Sequence, residues 1–137
     1  MNIILDTNVL LVSLSTRSKY YPIYKALLNK KYQLFLSNEI LSEYEEQIAL
    51  RFGTERTNIK MNEIINLSNV HKKDPFLKWG LITVDPDDNK FVDCAIISQA
   101  DYIVTNDRHF EVLKQVPFPE INTIKAEEFL LLLTNLV

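Results

Sequence analysis

Met1-Asn2-Ile3-Ile4-Leu5-Asp6-Thr7-Asn8-Val9-Leu10 decides the fold. A short apolar run, Ile3-Ile4-Leu5, stops at Asp6. The pattern recurs far downstream, where Tyr102-Ile103-Val104 leads through Thr105 and Asn106 to Asp107 and Arg108. Runs this short, apolar and β-branched read as buried parallel strands. Two strands of one sheet that each end near a carboxylate can place both charges at one sheet edge. Ligands of open α/β sheets bind in the crevice outside the carboxyl ends of the strands. An acidic pocket there needs a cation.

Between these runs the chain alternates. Gln33–Leu36 reads as a second strand, and Ser37 or Asn38 can cap a helix running to about Leu50. Gly53-Thr54 separates that helix from another over about 55–68. Residues 8–15 and 20–30 read as helices joined through Ser15–Ser18. Residues 69–84 are the least regular, with Leu81–Val84 as a short strand. Asp85-Pro86-Asp87-Asp88 opens a helix: Asp as cap, Pro in the first turn, acids beside it. That helix is expected to reach about Ala100. A short helix follows Asp107, and Ile121–Ile124 can form a last strand before a helix over Ala126–Thr134. The alternation indicates one domain over residues 1–137: an α/β fold with a parallel sheet of four or five strands and helices on both faces.

Composition narrows the function. The chain has 137 residues, 47% of them apolar, which supports a real core. The first apolar run breaks after three residues, so no signal peptide is expected, and no run approaches the ~20 residues of a membrane span. Cys94 is the single cysteine, which fits a reducing cytoplasm. A net charge of −3 argues against a general nucleic-acid coat protein but not against a nuclease, whose site is acidic. Two glycines are too few for a glycine-rich phosphate loop.

Four acids are candidates for the site, each against a plainer role as a helix cap or, for Glu43, a solvated helix flank. Asp6 and Asp107 follow strands, although each could instead be a helix N-cap. Glu43 falls at the edge of the buried stripe set by Ile40, Leu41, Tyr44 and Ile48, while Glu45 and Glu46 turn further out. Asp88 precedes Phe91, Val92 and Ala95 by three, four and seven residues, which puts it on the buried face of its helix. Its competing role is the acid at the third helical position of a capping box opened by Asp85. Asp93, about 140° further round the helix, is expected to face away, and Asp87 ranks below Asp88.

The ordered set DTNVL (6–10), SEYEEQI (42–48), DPDDNKFVDCA (85–95) and ADYIVTNDRHF (100–110) is similar to the PIN-domain family. It looks most like the branch formed by toxin components of bacterial toxin–antitoxin systems. The match covers nearly the whole chain, and its specificity lies in the order rather than in any one motif. The resemblance implies a three-layer α/β/α sandwich and a metal-dependent ribonuclease leaving 5′-phosphate and 3′-hydroxyl ends. It puts the family's metal-holding acids on Asp6, Glu43, Asp88 and Asp107, with Asp93 as the alternative third acid. Asn8, Thr105 and Asn106 fall at the polar positions beside them, and Asn106 stands where relatives often carry Gly or Arg. An antitoxin protein is the implied partner, and a homodimer is compatible with the sequence.

Chemistry agrees with that assignment. Carboxylates packed within ~5 Å repel unless a cation neutralises them. Oxygen ligands suit the hard ions Mg²⁺ and Mn²⁺. Neither His71 nor His109 has a ligand partner at zinc spacing, and His109 reads as a surface or helix-start residue. Arg108, Lys90, Arg17 and Arg51 are candidate contacts for the RNA backbone. Two other readings compete. A haloacid-dehalogenase-like phosphatase needs a second Asp two residues after the first, where this chain has Asn8. A non-catalytic PIN module that binds RNA or protein would not need all four acids.

Overall fold

The computed structural model describes residues 1–135, so the last two positions of the expected domain lie outside the described residues. Five parallel strands form one sheet in the order β3-β2-β1-β4-β5. They are β1 (Asn2–Leu5), β2 (Gln33–Leu36), β3 (Val70–Lys72), β4 (Tyr102–Val104) and β5 (Thr123–Ile124). The helices are α1 (Thr7–Ser13), α2 (Tyr21–Leu28), α3 (Asn38–Phe52), α4 (Thr54–Ile65), α5 (Asn89–Ser98) and α6 (Ala126–Thr134). Two 3₁₀ segments, Pro86–Asp88 and Arg108–Gln115, precede α5 and follow β4. This is the three-layer α/β/α arrangement that the alternation of elements implied.

The apolar strand runs make the centre. Ile3, Ile4, Leu5, Leu34, Ile103 and Val104 are wholly buried. Helix α5 lies across β1, β2 and β4, while α1 packs with α2 and α3, and α3 with α4. In the register, Leu5 faces Val104, so the residues that follow, Asp6 and Thr105, leave the sheet side by side. From β1 the chain steps outward to β2 and β3, then crosses to β4 and β5 on the other side. The crevice at that reversal, between β1 and β4, is where ligands of such sheets bind.

Local signals account for the boundaries. Ser37 caps α3 by accepting from the Ile40 backbone N–H at 3.2 Å. Gly53 sits at φ +85° between α3 and α4, a conformation that costs a glycine little and lets the second helix start at once.

One strand differs from expectation. Leu81–Val84 is not a strand; the third strand is Val70–Lys72. Ile82 is buried, but its backbone bonds go to a side chain. Its N–H donates to Asn89 Oδ1 at 2.9 Å, and its carbonyl accepts from Asn89 Nδ2 at 2.8 Å. The amide satisfies both groups, so no neighbouring strand is needed. Strand β3 lies at the sheet edge, where half-exposed Val70 and His71 and exposed Lys72 suffice. Among the described residues no helix is long and apolar enough to cross a membrane.

Candidate metal centre

Asp6 leaves β1 with 7% of its surface exposed. It stands at the N-cap position of α1 but makes no side-chain cap bond. Its Oδ2 instead accepts from the Thr105 hydroxyl at 2.7 Å. The same hydroxyl oxygen accepts from the Asp107 backbone N–H at 3.0 Å. Thr105 thus ties the ends of β1 and β4 together. Asp107 does serve as a cap, its Oδ1 accepting from the His109 N–H at 2.9 Å. The cap uses one oxygen, and a carboxylate can accept several bonds, so the cap leaves capacity for a further partner.

Tyr44 brings α3 to this edge. Its buried hydroxyl donates to the Leu5 carbonyl at 2.5 Å. Burial pushes that phenol well above its ordinary pKa, so it remains a donor. The preceding residue, Glu43, is half-buried at the flank of the helix, as its stripe position required. Its Oε2 accepts from the Thr7 hydroxyl. Its Oε1 meets the Lys90 ammonium at 3.0 Å.

Asp88 ends the 3₁₀ turn rather than lying inside α5, so helical periodicity does not place it. It still turns inward, and its side chain is 14% exposed. Its Oδ2 lies 3.3 Å from His109 Nδ1, and Asp107 Oδ1 lies 3.4 Å from the same nitrogen. Asp85, Asp88 and His109 each offer a ligand atom within 4.8 Å of the others.

The carboxylates feel one another. Burial pushes the Asp6 carboxyl up, with the charges of Asp107 and Glu43 adding to it and the Thr105 hydrogen bond opposing it. Asp88 is pushed up to about 6, chiefly by burial and then by the charge of Asp107, with Asp85 and Asp6 contributing. A divalent cation removes that repulsion. The donors are carboxylate oxygens and one imidazole nitrogen, a set that fits Mg²⁺ or Mn²⁺.

The other acid of α5 behaves differently. Asp93 faces away from these groups but not into solvent: it is 5% exposed, and its Oδ1 accepts from the Trp79 N–H at 3.1 Å. Burial pushes its carboxyl up too, but the charges around it are Glu39 and Lys78, not Asp6 or Asp107. It anchors the segment between β3 and the 3₁₀ turn.

The remaining candidates divide. Asn106 is exposed, and its Oδ1 accepts from the Ala126 N–H at 3.0 Å, joining the cluster's loop to α6. Asn8, Arg108 and Arg17 are exposed near the ends of the elements they follow. Arg51 is exposed in the last turn of α3, eight residues beyond Glu43 and so about 12 Å along the axis. Lys90 was expected to meet RNA, but its side chain is only 6% exposed and pairs with Glu43 and, at 3.1 Å, Asp87. It also donates to the Asp87 carbonyl at 2.8 Å. Burial works to lower its pKa, yet the bonds to Glu43 and Asp87 outweigh burial and the value is raised.

The contacts that Thr7, Tyr44, Asp85 and His109 make around the acids escaped the sequence reading, which placed Tyr44 only in the buried stripe, Asp85 only as a cap and His109 only at a helix start. His109 had a signal: its position two residues after a strand-end Asp on a tight turn brings it back over that Asp. Thr7 and Tyr44 act on partners 36 and 39 residues away, which no local pattern reveals.

Comparison with known proteins bears on the fold and the family. A VapBC2 structure from Rickettsia felis, bound to a DNA fragment from its promoter, has a chain 21% identical to this one. The alignment covers 91% of this chain and 98% of that one, with a TM-score of 0.63. A chain of a DNA-bound VapBC from Salmonella typhimurium is 20% identical, with coverages of 92% and 98% and a TM-score of 0.61. At these identities the likeness is one of fold. No curated protein matches the chain. The family model of the PIN domain matches residues 2–109, which include Asp6, Glu43, Asp88 and Asp107, and the chain therefore belongs to the PIN-domain family.

Proposed function

We propose that this protein is a divalent-metal-dependent ribonuclease and the toxin of a toxin–antitoxin pair. The observation that carries the nuclease reading is the meeting of acids from separate parts of the chain at the sheet edge. Thr105 joins Asp6 to the Asp107 backbone, and His109 stands against both Asp88 and Asp107; burial and the charge of Asp107 push both Asp6 and Asp88 up. Membership of the PIN-domain family supports the same chemistry.

Asp6, Asp88 and Asp107 would hold the cation, with Glu43 completing the acidic wall. When bound, the cation supplies positive charge for the phosphate and lowers the pKa of water at the site. The chain's own residues orient this chemistry. Thr105 fixes the Asp6 carboxylate, and Tyr44 fixes the helix that carries Glu43. Arg108, which follows Asp107 directly and is exposed, would meet the phosphate backbone, and exposed Arg17 is a further candidate. Hydrolysis adds water across a phosphodiester, leaving a 5′-phosphate and a 3′-hydroxyl.

The toxin role rests on the VapBC neighbours. A groove of about 380 Å³ lined by Glu39, Glu43, Glu46, Asp87 and Lys90 opens beside the cluster. Its acidic wall suits an antitoxin segment that presents Arg or Lys. The phosphatase alternative gains nothing from the structure, because Asn8 is an exposed amide where that chemistry needs a buried acid.

The test is cleavage of end-labelled RNA with Mn²⁺ or Mg²⁺ and with chelator, together with end-group analysis. Metal-dependent cleavage with 5′-phosphate products supports the nuclease reading; turnover of p-nitrophenyl phosphate without RNA cleavage overturns it. Co-expression with the product of the adjacent gene should relieve growth arrest caused by this chain. No arrest by the chain alone in its own host would count against the toxin role.

A further inference from the structure

We propose that Lys90 is a built-in cation: its ammonium neutralises the Glu43 side of the acid cluster, so that the site takes one divalent ion, on the side of Asp88 and Asp107. The proposal rests on reading this cluster as a cation site and concerns how its charge is divided.

Both oxygens of Glu43 are engaged. Oε1 meets Lys90 Nζ at 3.0 Å, and Oε2 accepts from the Thr7 hydroxyl. Lys90 is held from a second direction by the Asp87 carboxylate at 3.1 Å and the Asp87 carbonyl at 2.8 Å. With 6% of its side chain exposed, it cannot swing out to solvent without giving up three partners. A buried lysine is tolerated only when paired in this way. A divalent ion bonded to Glu43 would have to take an oxygen from Lys90 or Thr7 and would sit beside a buried ammonium whose charge Asp87, 77% exposed, offsets only through a solvent-screened contact.

The opposite side has room for a metal. Asp88 Oδ2 and Asp107 Oδ1 lie 3.3 and 3.4 Å from His109 Nδ1, and Asp85 approaches the first pair within 4.8 Å. A cation bonded at about 2.1 Å holds its ligand atoms roughly 3 to 4.2 Å apart. The Asp88 and Asp107 oxygens already stand within that range of the imidazole nitrogen, and Asp85 lies no more than 4.8 Å from Asp88 and His109. Two-metal sites instead hold their ions about 3.5–4 Å apart between shared carboxylates. Here the Glu43 carboxylate that a second ion would share is already held by an ammonium, which offsets its charge but cannot act as a Lewis acid.

The experiment counts Mn²⁺ bound by the intact chain, from the loss of the free-ion electron paramagnetic resonance signal. Wild type should take up one ion per chain. Lys90→Met should bind a second, and Lys90→Arg, which keeps the charge, should stay at one. Two ions in wild type would overturn this proposal and leave the cation site standing. So would a Lys90→Met count equal to that of wild type. No Mn²⁺ uptake by wild type would overturn the cation-site reading beneath it. Should Lys90→Met fail to fold, Lys90→Gln and the wild-type count decide the matter.

Discussion

The Thr105 hydroxyl donates to Asp6 at 2.7 Å across the junction of the two central strands. The bond is what holds a buried carboxylate in one orientation at the crevice between β1 and β4. Thr105→Val keeps the shape and removes the donor. Leaving a buried polar group without its partner costs about 1–3 kcal/mol. We expect a lower melting temperature for Thr105→Val, a higher Asp6 pKa, and weaker Mn²⁺ binding. Thr105→Ser should restore most of each. Calorimetric melts with and without Mn²⁺ measure all but the pKa; equal behaviour of Thr105→Val and wild type would show that the bond does nothing.

Acidity should stabilise the metal-free protein through Asp88. Its carboxyl is raised to about 6 from an ordinary 3.8. Between those values the folded chain keeps a proton that the unfolded chain has released. Stability from this group is therefore full below the unfolded value and is lost as pH rises through the folded one. Asp6 is displaced in the same direction. In chelator, the stability of wild type relative to Asp88→Asn should fall as pH rises from about 4 to about 7. A saturating divalent ion should remove or reverse that slope, because it favours the ionised carboxylate. A difference independent of pH would contradict the burial and repulsion assigned to Asp88.

His109 should bias the choice of metal. An imidazole nitrogen is a better ligand for Mn²⁺ than for Mg²⁺. We expect His109→Ala to lose about 10-fold in Mn²⁺ affinity and less in Mg²⁺ affinity, within the range seen when groups around a metal are removed. Titration calorimetry with each ion checks the ratio. An equal loss for both ions would assign His109 to orientation of Asp88 and Asp107 rather than to ligation.

Asp93 separates structure from site. It holds the Trp79 N–H from a position remote from the cluster. Asp93→Ala should therefore cost about 1.5–3 kcal/mol in stability, because a hydrogen bond to a charged group is lost. The metal-induced rise in melting temperature should survive. Asp88→Ala should show the opposite pattern: little loss of stability in the metal-free state and a much smaller metal-induced rise. A matched pair of melts distinguishes the two, and an interchange of these outcomes would make Asp93 the third acid.

Much of this arrangement was legible because burial leaves short apolar runs. Ile3–Leu5 and Ile103–Val104 announced the central strands, and the acids that follow them announced the edge. Glu43 could be placed because one helical stripe ran unbroken from Ile40 to Ile48. Legibility ended where tertiary contacts replaced local ones. Leu81–Val84 looked like a strand because its residues favour one, but the side chain of Asn89 took its backbone bonds. Strand β3 was hidden because an edge strand needs little apolar surface. Asp88 was assigned to the right side for a reason that does not hold, since a 3₁₀ turn rather than a helix directs it. Lys90 read as a phosphate contact because it follows Asp88 by two residues; its pairing with Glu43 spans 47 positions and two helices.

The central claim is that carboxylates from distant parts of the chain form one cation site that cleaves RNA. Asp6→Asn tests it most directly, because Asp6 is shared by the strand edge, the Thr105 bond and the charge coupling. Cleavage of labelled RNA should be measured for wild type and Asp6→Asn across a Mn²⁺ titration, with thermal melts on the same samples. A cation that binds only the folded state stabilises it by about 2.7 kcal/mol at a hundredfold excess over Kd. The account predicts cleavage that rises with Mn²⁺ alongside the wild-type melting temperature, and in Asp6→Asn no cleavage and a reduced shift. Cleavage by wild type in chelator, or full activity in Asp6→Asn, would contradict it.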